Sequence, residues 1–203
     1  MKTIAIVYFS GSGHTAQMAE AIQRGAASVE SIRTVLLPVT GPQIVEGRFR
    51  DESLLAQITA ADAVIFGTPT YMGGPAAQFK AFADATGGLW FERRWRNKLA
   101  AGFTHSGMPS GDKLATLHYL AVFAAQHGML WLGNAELPSA MTGQLEQLNR
   151  AGAYLGAMGF GSAPLVDAGD LRTAEALGRR VAEFAQRLTA EIAAPVVAAE
   201  NAA

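Results

Sequence analysis

At 203 residues, half of them apolar and 16% charged, the chain is long enough for one sizeable core and too hydrophobic to be disordered. Sixteen basic and 17 acidic residues leave a net charge of −1 spread along the chain, which excludes the basic face that nucleic acid requires. There is no cysteine, so disulfides, thiolate nucleophiles, iron–sulfur clusters and thiolate zinc sites are excluded, and any redox chemistry must come from a bound cofactor.

In chain order, short β-branched runs alternate with longer helical ones, the pattern of βαβ units around a parallel sheet. Strands are expected at Thr3 to Phe9, Ile32 to Leu37, Ala63 to Gly67, Leu99 to Phe103 and Met129 to Leu132, each nearly all apolar, as strands covered on both faces are. The opening run is too short for a secretory leader and reads as the first buried strand. Helices are expected at Thr15 to Ala27, Glu52 to Thr59, Pro75 to Ala85, Asp112 to Gln126 and Thr173 to Ile192. The first carries Met18, Ala19, Ile22 and Ala26 on one face, and the last carries Leu177, Val181, Phe184 and Leu188. The reading is one α/β domain over 1–192 with a disordered tail over 193–203. No apolar stretch approaches the ~20 residues of a spanning helix, so a cytoplasmic protein with no membrane insertion is expected. The long Gly/Ala-rich stretch from Asn134 to Pro164 has no clear pattern, and segments of that kind usually make contacts or carry function.

The connections after the first, third and fourth strands hold the glycines, hydroxyls and prolines, and ligands bind at that edge of open α/β sheets. Ser10-Gly11-Ser12-Gly13-His14-Thr15 follows a buried strand and opens a helix, so its N–H groups face outward from a positive dipole end. Three hydroxyls join them, and two glycines let the backbone approach an anion closely. A Walker loop needs lysine where His14 stands, so ATP and GTP are disfavoured. The loose dinucleotide fingerprint G-x-G-x-x-A also fits, but strand two ends Val35-Leu36-Leu37-Pro38 with no acid to hold a ribose. A simple helix-capping turn is the remaining alternative; a cap uses one hydroxyl and this loop offers three.

This loop resembles the flavodoxin motif T/S-x-T/S-G-x-T, which grips the phosphate of FMN. Downstream, Gly67-Thr68-Pro69-Thr70-Tyr71-Met72-Gly73, then Gln78, Phe82, Asp84 and Thr86-Gly87-Gly88-Leu89-Trp90, are similar to the WrbA-type FMN-dependent NAD(P)H:quinone oxidoreductases. Lys98-Leu99-Ala100 and Gln126-His127-Gly128-Met129 extend the likeness, which covers residues 3 to 133 well and the remainder weakly. The resemblance implies a flavodoxin-like three-layer sandwich with a five-stranded parallel sheet of order 2-1-3-4-5 and non-covalent FMN. It implies NADH or NADPH as donor and a quinone as acceptor. It also implies a homo-oligomer, dimer or tetramer, whose active sites borrow residues from neighbouring subunits. By the same resemblance Pro69, Thr70, Tyr71, Met72 and Gly73 would lie along the flavin ring, and Thr104, His105, Ser106 and Gly107 would flank it from the other side. Trp90 would help form the pocket where nicotinamide and quinone stack. Three departures stand out: Met108-Pro109-Ser110-Gly111-Asp112 replaces a glycine-rich loop ending in Gln-Glu, Gln126 replaces a histidine, and Gly159-Phe160-Gly161-Ser162 replaces a Gly-Asp-Gly turn.

A bound flavin needs no side-chain acid or base, only orientation and tolerance of charge on the reduced ring. His105 is the candidate stabiliser of that charge, or else a loop residue bonding backbone. His14 is read as binding by position, His118 as structural, and His127 as a helix cap or, less simply, with Gln126 a neighbour of the flavin. The four histidines lack metal-ligand spacing. Tyr71 could stack on flavin. Arg93, Arg94 and Arg96 are either a solvated face or a guide for nucleotide phosphates. A one-electron carrier and a non-catalytic FMN-binding module remain as alternatives. Carriers crowd carboxylates around the flavin, whereas residues 68–75 contain none.

Overall fold

The computed structural model describes residues 1–143 and 148–188. In chain order the elements are β1 (Lys2–Phe9), α1 (His14–Ala27), β2 (Ile32–Val39), β3 (Ile44–Val45), β4 (Arg48–Phe49), α2 (Glu52–Ala60), β5 (Ala63–Tyr71), β6 (Gly74–Pro75), α3 (Ala77–Ala85), α4 (Gly87–Phe91), β7 (Leu99–Ser106), α5 (Lys113–Gln126), β8 (Leu130–Trp131), α6 (Ser139–Thr142), β9 (Ala157–Phe160) and α7 (Ala168–Arg187). The last four residues of the expected final helix and the tail expected over 193–203 lie outside the described residues.

The main sheet runs β2-β1-β5-β7-β8, with β6 added antiparallel to β5 and β9 added parallel to β7. It therefore has seven strands and not the five expected. The two additions escape sequence patterning because Gly74–Pro75 is too short, and Ala157–Phe160 too poor in β-branched residues, to read as strands. β8 pairs with Leu99 and Ala100 of β7, while β9 pairs with Phe103 to Ser106, so one edge position is filled by two pieces. The chain between them makes an excursion closed at its base by Asn134 N–H to Tyr154 O (2.8 Å) and Trp131 Nε1–H to Leu155 O (2.9 Å).

Two apolar layers sandwich the sheet. Phe66, Phe79, Phe82, Trp95 and Phe123 fill the side under α2, α3 and α5, and Ile4, Ile6, Met18, Ile22, Leu177 and Val181 fill the side under α1 and α7. Helices α1 and α7 pack backbone to backbone. A Cβ on Gly25 would lie 1.9 Å from Glu175 O, and one on Gly178 would lie 2.1 Å from Ile22 O. Several boundaries differ from expectation. β5 and β7 continue past Gly67 and Phe103 because the ladder persists through Thr68↔Thr104 and Pro69↔His105. α3 starts at Ala77 because Pro75 is paired in β6. α7 starts at Ala168, capped by the Asp167 carboxylate accepting from Gly169 N–H at 2.8 Å.

Candidate active site at the carboxyl edge of the sheet

Four chain segments meet where β1, β5, β7 and β9 end. The first is the expected phosphate loop. Gly13 caps α1 at φ 90, a left-handed value that favours glycine. The Ser10 hydroxyl accepts from Ala16 N–H at 3.2 Å, and Gln17 N–H closes the first helical bond to Gly13 O. The N–H groups of His14 and Thr15, first in the helix, have no intrahelical acceptor. The Tyr71 hydroxyl lies over Gly11, 2.3 Å from where a Cβ would stand, so a side chain there would have to displace the half-exposed Tyr71 ring. The loop and the end of β5 thus approach each other closely.

The second segment is a two-residue hairpin. Tyr71 pairs with Gly74 across Met72 (φ 48) and Gly73 (φ 78), the paired positive values that tight hairpins of matching twist require. Tyr71 and Met72 are exposed at the tip. Thr70 and Thr104 are also brought here, but with their hydroxyls already committed. Thr70 Oγ1 lies 2.8 Å from Thr104 Oγ1 and donates to Thr116 Oγ1 at 2.7 Å, tying β5 and β7 to α5. Their backbones also belong to the ladders, Thr104 to β5 and β9 and Thr70 to β6. Pro69, Thr70, Tyr71, Thr104, His105 and Ser106 stand on strand ends and not in loops, which makes them rigid.

His105 and His14 stack face to face, ring centroids 4.5 Å apart and 4° from parallel. His14 Nε2 is 2.7 Å from Ala163 O, which can only accept, so that nitrogen carries a proton; in the neutral ring Nδ1 then accepts from the Ser12 hydroxyl 3.0 Å away. His105 is buried, with Nε2 unpartnered among the described residues. Burial first, then the neighbouring His14, Lys113 and Arg150, push its pKa down to about 4. Near neutral pH the His105 ring is therefore uncharged, so of the two imidazole forms only the neutral one is available there.

The fourth segment, 160–166, was not foreseen as part of the site. Gln17 clamps it from α1, its amide donating to Pro164 O (3.0 Å) and accepting from Val166 N–H (3.0 Å). Arg150, on the excursion, donates to Asp170 through Nε (2.8 Å) and Nη2 (2.7 Å) and to Phe160 O (2.9 Å), while its guanidinium lies 3.7 Å from the Phe160 ring centre. Asp170 is 1% exposed and also accepts from Phe160 N–H at 3.0 Å. It raises the Arg150 pKa through that hydrogen bond. Only spacing in the fold, not in the sequence, joins these residues.

The third loop, 106–112, is gathered onto Lys113. Gly107 is exposed at its start, and beside it a cavity of about 840 Å³ opens between α5 and the 151–158 segment, with Ser110, Leu155 and Met158 among its walls. His118 is exposed on the wall of that cavity, which corrects its reading as a structural residue.

Trp90 is not brought to this edge. α3 starts near Tyr71 and runs back along the sheet, so Trp90 on α4 lies at the amino end with Thr86, which bonds His127 at 2.9 Å. His127 is buried against Trp95, ring centres 4.4 Å apart, and burial holds its pKa down to about 4. Gln126 and His127 stand at that same far end, away from the Ser10 to Thr15 loop of their own chain. Arg94 and Arg96 likewise line a small cleft at the far edge with Lys2, Asp62 and Lys98.

Comparison with known proteins gives this edge a context. The chain is 38% identical over 202 residues to a protein named NAD(P)H dehydrogenase (quinone) from Archaeoglobus fulgidus, covering 93% of this chain and all of that one. It is 36% identical over 197 residues to a protein named flavodoxin FldP from Pseudomonas aeruginosa, covering 94% and 100%. Among solved structures, the flavodoxin, WrbA-like protein from Agrobacterium tumefaciens superposes with a TM-score of 0.73 at 40% identity, covering 93% of this chain and all of that one, and the fold is flavodoxin-like. A family model described as NADPH-dependent FMN reductase matches residues 4–144. With more than half its length matched, the chain belongs to the NADPH-dependent FMN reductase family.

Proposed function

We propose that the protein is an FMN-dependent oxidoreductase that takes hydride from NADH or NADPH and passes it through bound FMN to a quinone as a two-electron reduction, acting in the cytoplasm. The observation that carries this reading is the cradle at Ser10 to Thr15, free of lysine and closed by Tyr71, whose outward N–H groups suit one phosphate ester. Bound there, the flavin would supply the hydride chemistry. The chain's residues do the rest. Ser10, Gly11, Ser12, Gly13, His14 and Thr15 would hold the phosphate, with His14 fixed by Ala163 O and by the His105 stack. Pro69, Thr70, Tyr71, Met72 and Gly73 on one side, and Thr104, His105, Ser106 and Gly107 on the other, would orient the ring with their backbones and exclude water from it.

The runner-up is a one-electron carrier, favoured by the flavodoxin name of the Pseudomonas relative. Charge weighs against it. Residues 68–75 hold no acid, the nearby Asp170 is neutralised by Arg150, and Lys113 adds a cation, so a second electron meets little like-charge repulsion. We also propose a homo-oligomer, dimer or tetramer. Trp90, far from the cradle of its own chain, could serve a ring pocket only in another copy.

Anaerobic titration decides between the two. The yellow holoprotein should bleach in one step with NADH or NADPH, without a long-wavelength band, and benzoquinone should restore the colour. No reaction with either nicotinamide, and a persistent long-wavelength band with dithionite, would establish the carrier. Ser12→Asp, which puts a carboxylate in the cradle, should abolish FMN binding and leave the circular dichroism spectrum unchanged; retained affinity would move the phosphate elsewhere.

A further inference from the structure

We propose that Lys113 is a positioning residue: its buried ammonium turns the third loop so that N–H groups and positive charge face the electron-rich edge of the flavin. The inference rests on the FMN reading above. Lys113 opens α5, and its side chain is fully enclosed. Nζ donates to Ser106 Oγ (3.0 Å) and to the carbonyls of Met108 (2.7 Å), Pro109 (2.8 Å) and Ser110 (2.8 Å). These partners are dipoles, and dipoles satisfy an ammonium without cancelling its charge. Of the nearest carboxylates, Asp170 is bound by Arg150, and Asp112, whose charge is felt at Lys113, makes no side-chain cap.

The crown of carbonyls has a geometric consequence. Across each planar peptide the C=O and the following N–H point in opposite directions. Three carbonyls turned onto Nζ therefore send the N–H groups of Ser110 and Gly111 away from it, and Pro109 has none. The chain then passes through Gly111 (φ 53) and Asp112 (φ 52), and a Cβ on Gly111 would lie 2.1 Å from Ser106 Oγ. Outward N–H groups on such a turn form a concavity that attracts negative charge. The ammonium also acts at longer range. Burial lowers the pKa of Lys113 against the pull of Asp170, and Lys113 in turn helps to keep His105 uncharged. With His105 uncharged and Arg150 paired with Asp170, Lys113, with Asp112 beside it, is a cation placed to balance a reduced ring. Both cations lie near the Phe160 ring, Lys113 Nζ at 5.5 Å and Arg150 Cζ at 3.7 Å from its centre.

The test compares full-length holoprotein with Lys113→Met, which keeps length and loses charge, and Lys113→Arg, which keeps charge. Flavin fluorescence gives the affinity for oxidised FMN, and dye-equilibrated titration gives the two-electron potential. In Lys113→Met, affinity for reduced FMN should fall about tenfold more than for oxidised FMN, a potential about 30 mV more negative, and Lys113→Arg should recover most of the difference. Equal weakening of both forms, with the potential unmoved, would mean that Lys113 only braces the loop and would overturn the proposal. If Lys113→Met does not fold, the 15N ammonium resonance of Lys113 in the native protein is followed through flavin reduction: a shift supports the proposal and a fixed signal overturns it. Failure of the native protein to bind FMN would remove the FMN reading itself, and this inference with it.

Discussion

Two buried histidines make stability depend on pH in a definite direction. His105 and His127 both have pKa values pushed down to about 4 in the fold, chiefly by burial, whereas an unfolded imidazole titrates near 6.5. Between those limits the unfolded chain binds more protons, so stability is full above about pH 6.5 and is lost as pH falls toward 4. Each histidine should cost on the order of 1–2 kcal/mol between pH 7 and pH 5. Urea unfolding at the two pH values measures it, and His127→Gln should show a shallower loss. An equal loss in that variant would assign the proton uptake to other groups. At this scale the sequence was only partly informative. Ser10 to Thr15 could be read directly because its parts are contiguous. Lys113 could not, since beside Asp112 it looks like half of a solvated pair, and only the fold turns it inward.

The packing of α1 on α7 is set by two glycines, and the same contact supports the phosphate loop at the start of α1. Gly178→Ala brings a methyl group within 2.1 Å of Ile22 O, a backbone atom that cannot swing aside. Overpacking of this kind costs about 1–3 kcal/mol or more, and the gain in helix propensity, at most ~1 kcal/mol, opposes it. The expected net loss is about 2 kcal/mol in denaturant unfolding, with weaker FMN binding; unchanged stability would show that the two helices can separate freely. Elements with strong periodicity, such as β1 and α1, were legible from their residues alone. β9 was not, because Ala-Met-Gly-Phe carries no strand signal until β7 offers it an edge. The place of Trp90, away from the phosphate loop of its own chain, was not legible for a related reason. A sequence pattern identifies α3 but does not say that it carries the chain away from the ligand edge.

For the whole molecule, the exposed apolar residues bear on assembly. Trp90, Phe91, Leu114 and Val122 all stand in solvent on a single chain, and α5 has little polar face to present. Light scattering of the holoprotein should give a mass of two or four chains. A monomer at micromolar concentration would refute assembly and leave Trp90 without a ligand-side role. No described helix is long and apolar enough to cross a membrane. The βαβ order followed from composition and pattern. The Arg150–Asp170 link, which joins the excursion to the site, did not, since neither residue stands in a motif.

The divided edge strand gives the protein a modular character. β8 and β9 each bring their own hydrogen bonds to β7, and only Ala101 and Gly102 separate the two paired stretches. Excising the chain between them and splicing the ends with a short linker would leave the ladder nearly continuous, so the core could persist as a smaller relative of itself. Such a trimmed protein would lose Arg150, and the carboxylate of Asp170 would be stranded beneath the cradle. The detachable part is thus an accessory to the sheet, tied to it through Arg150 and Asp170.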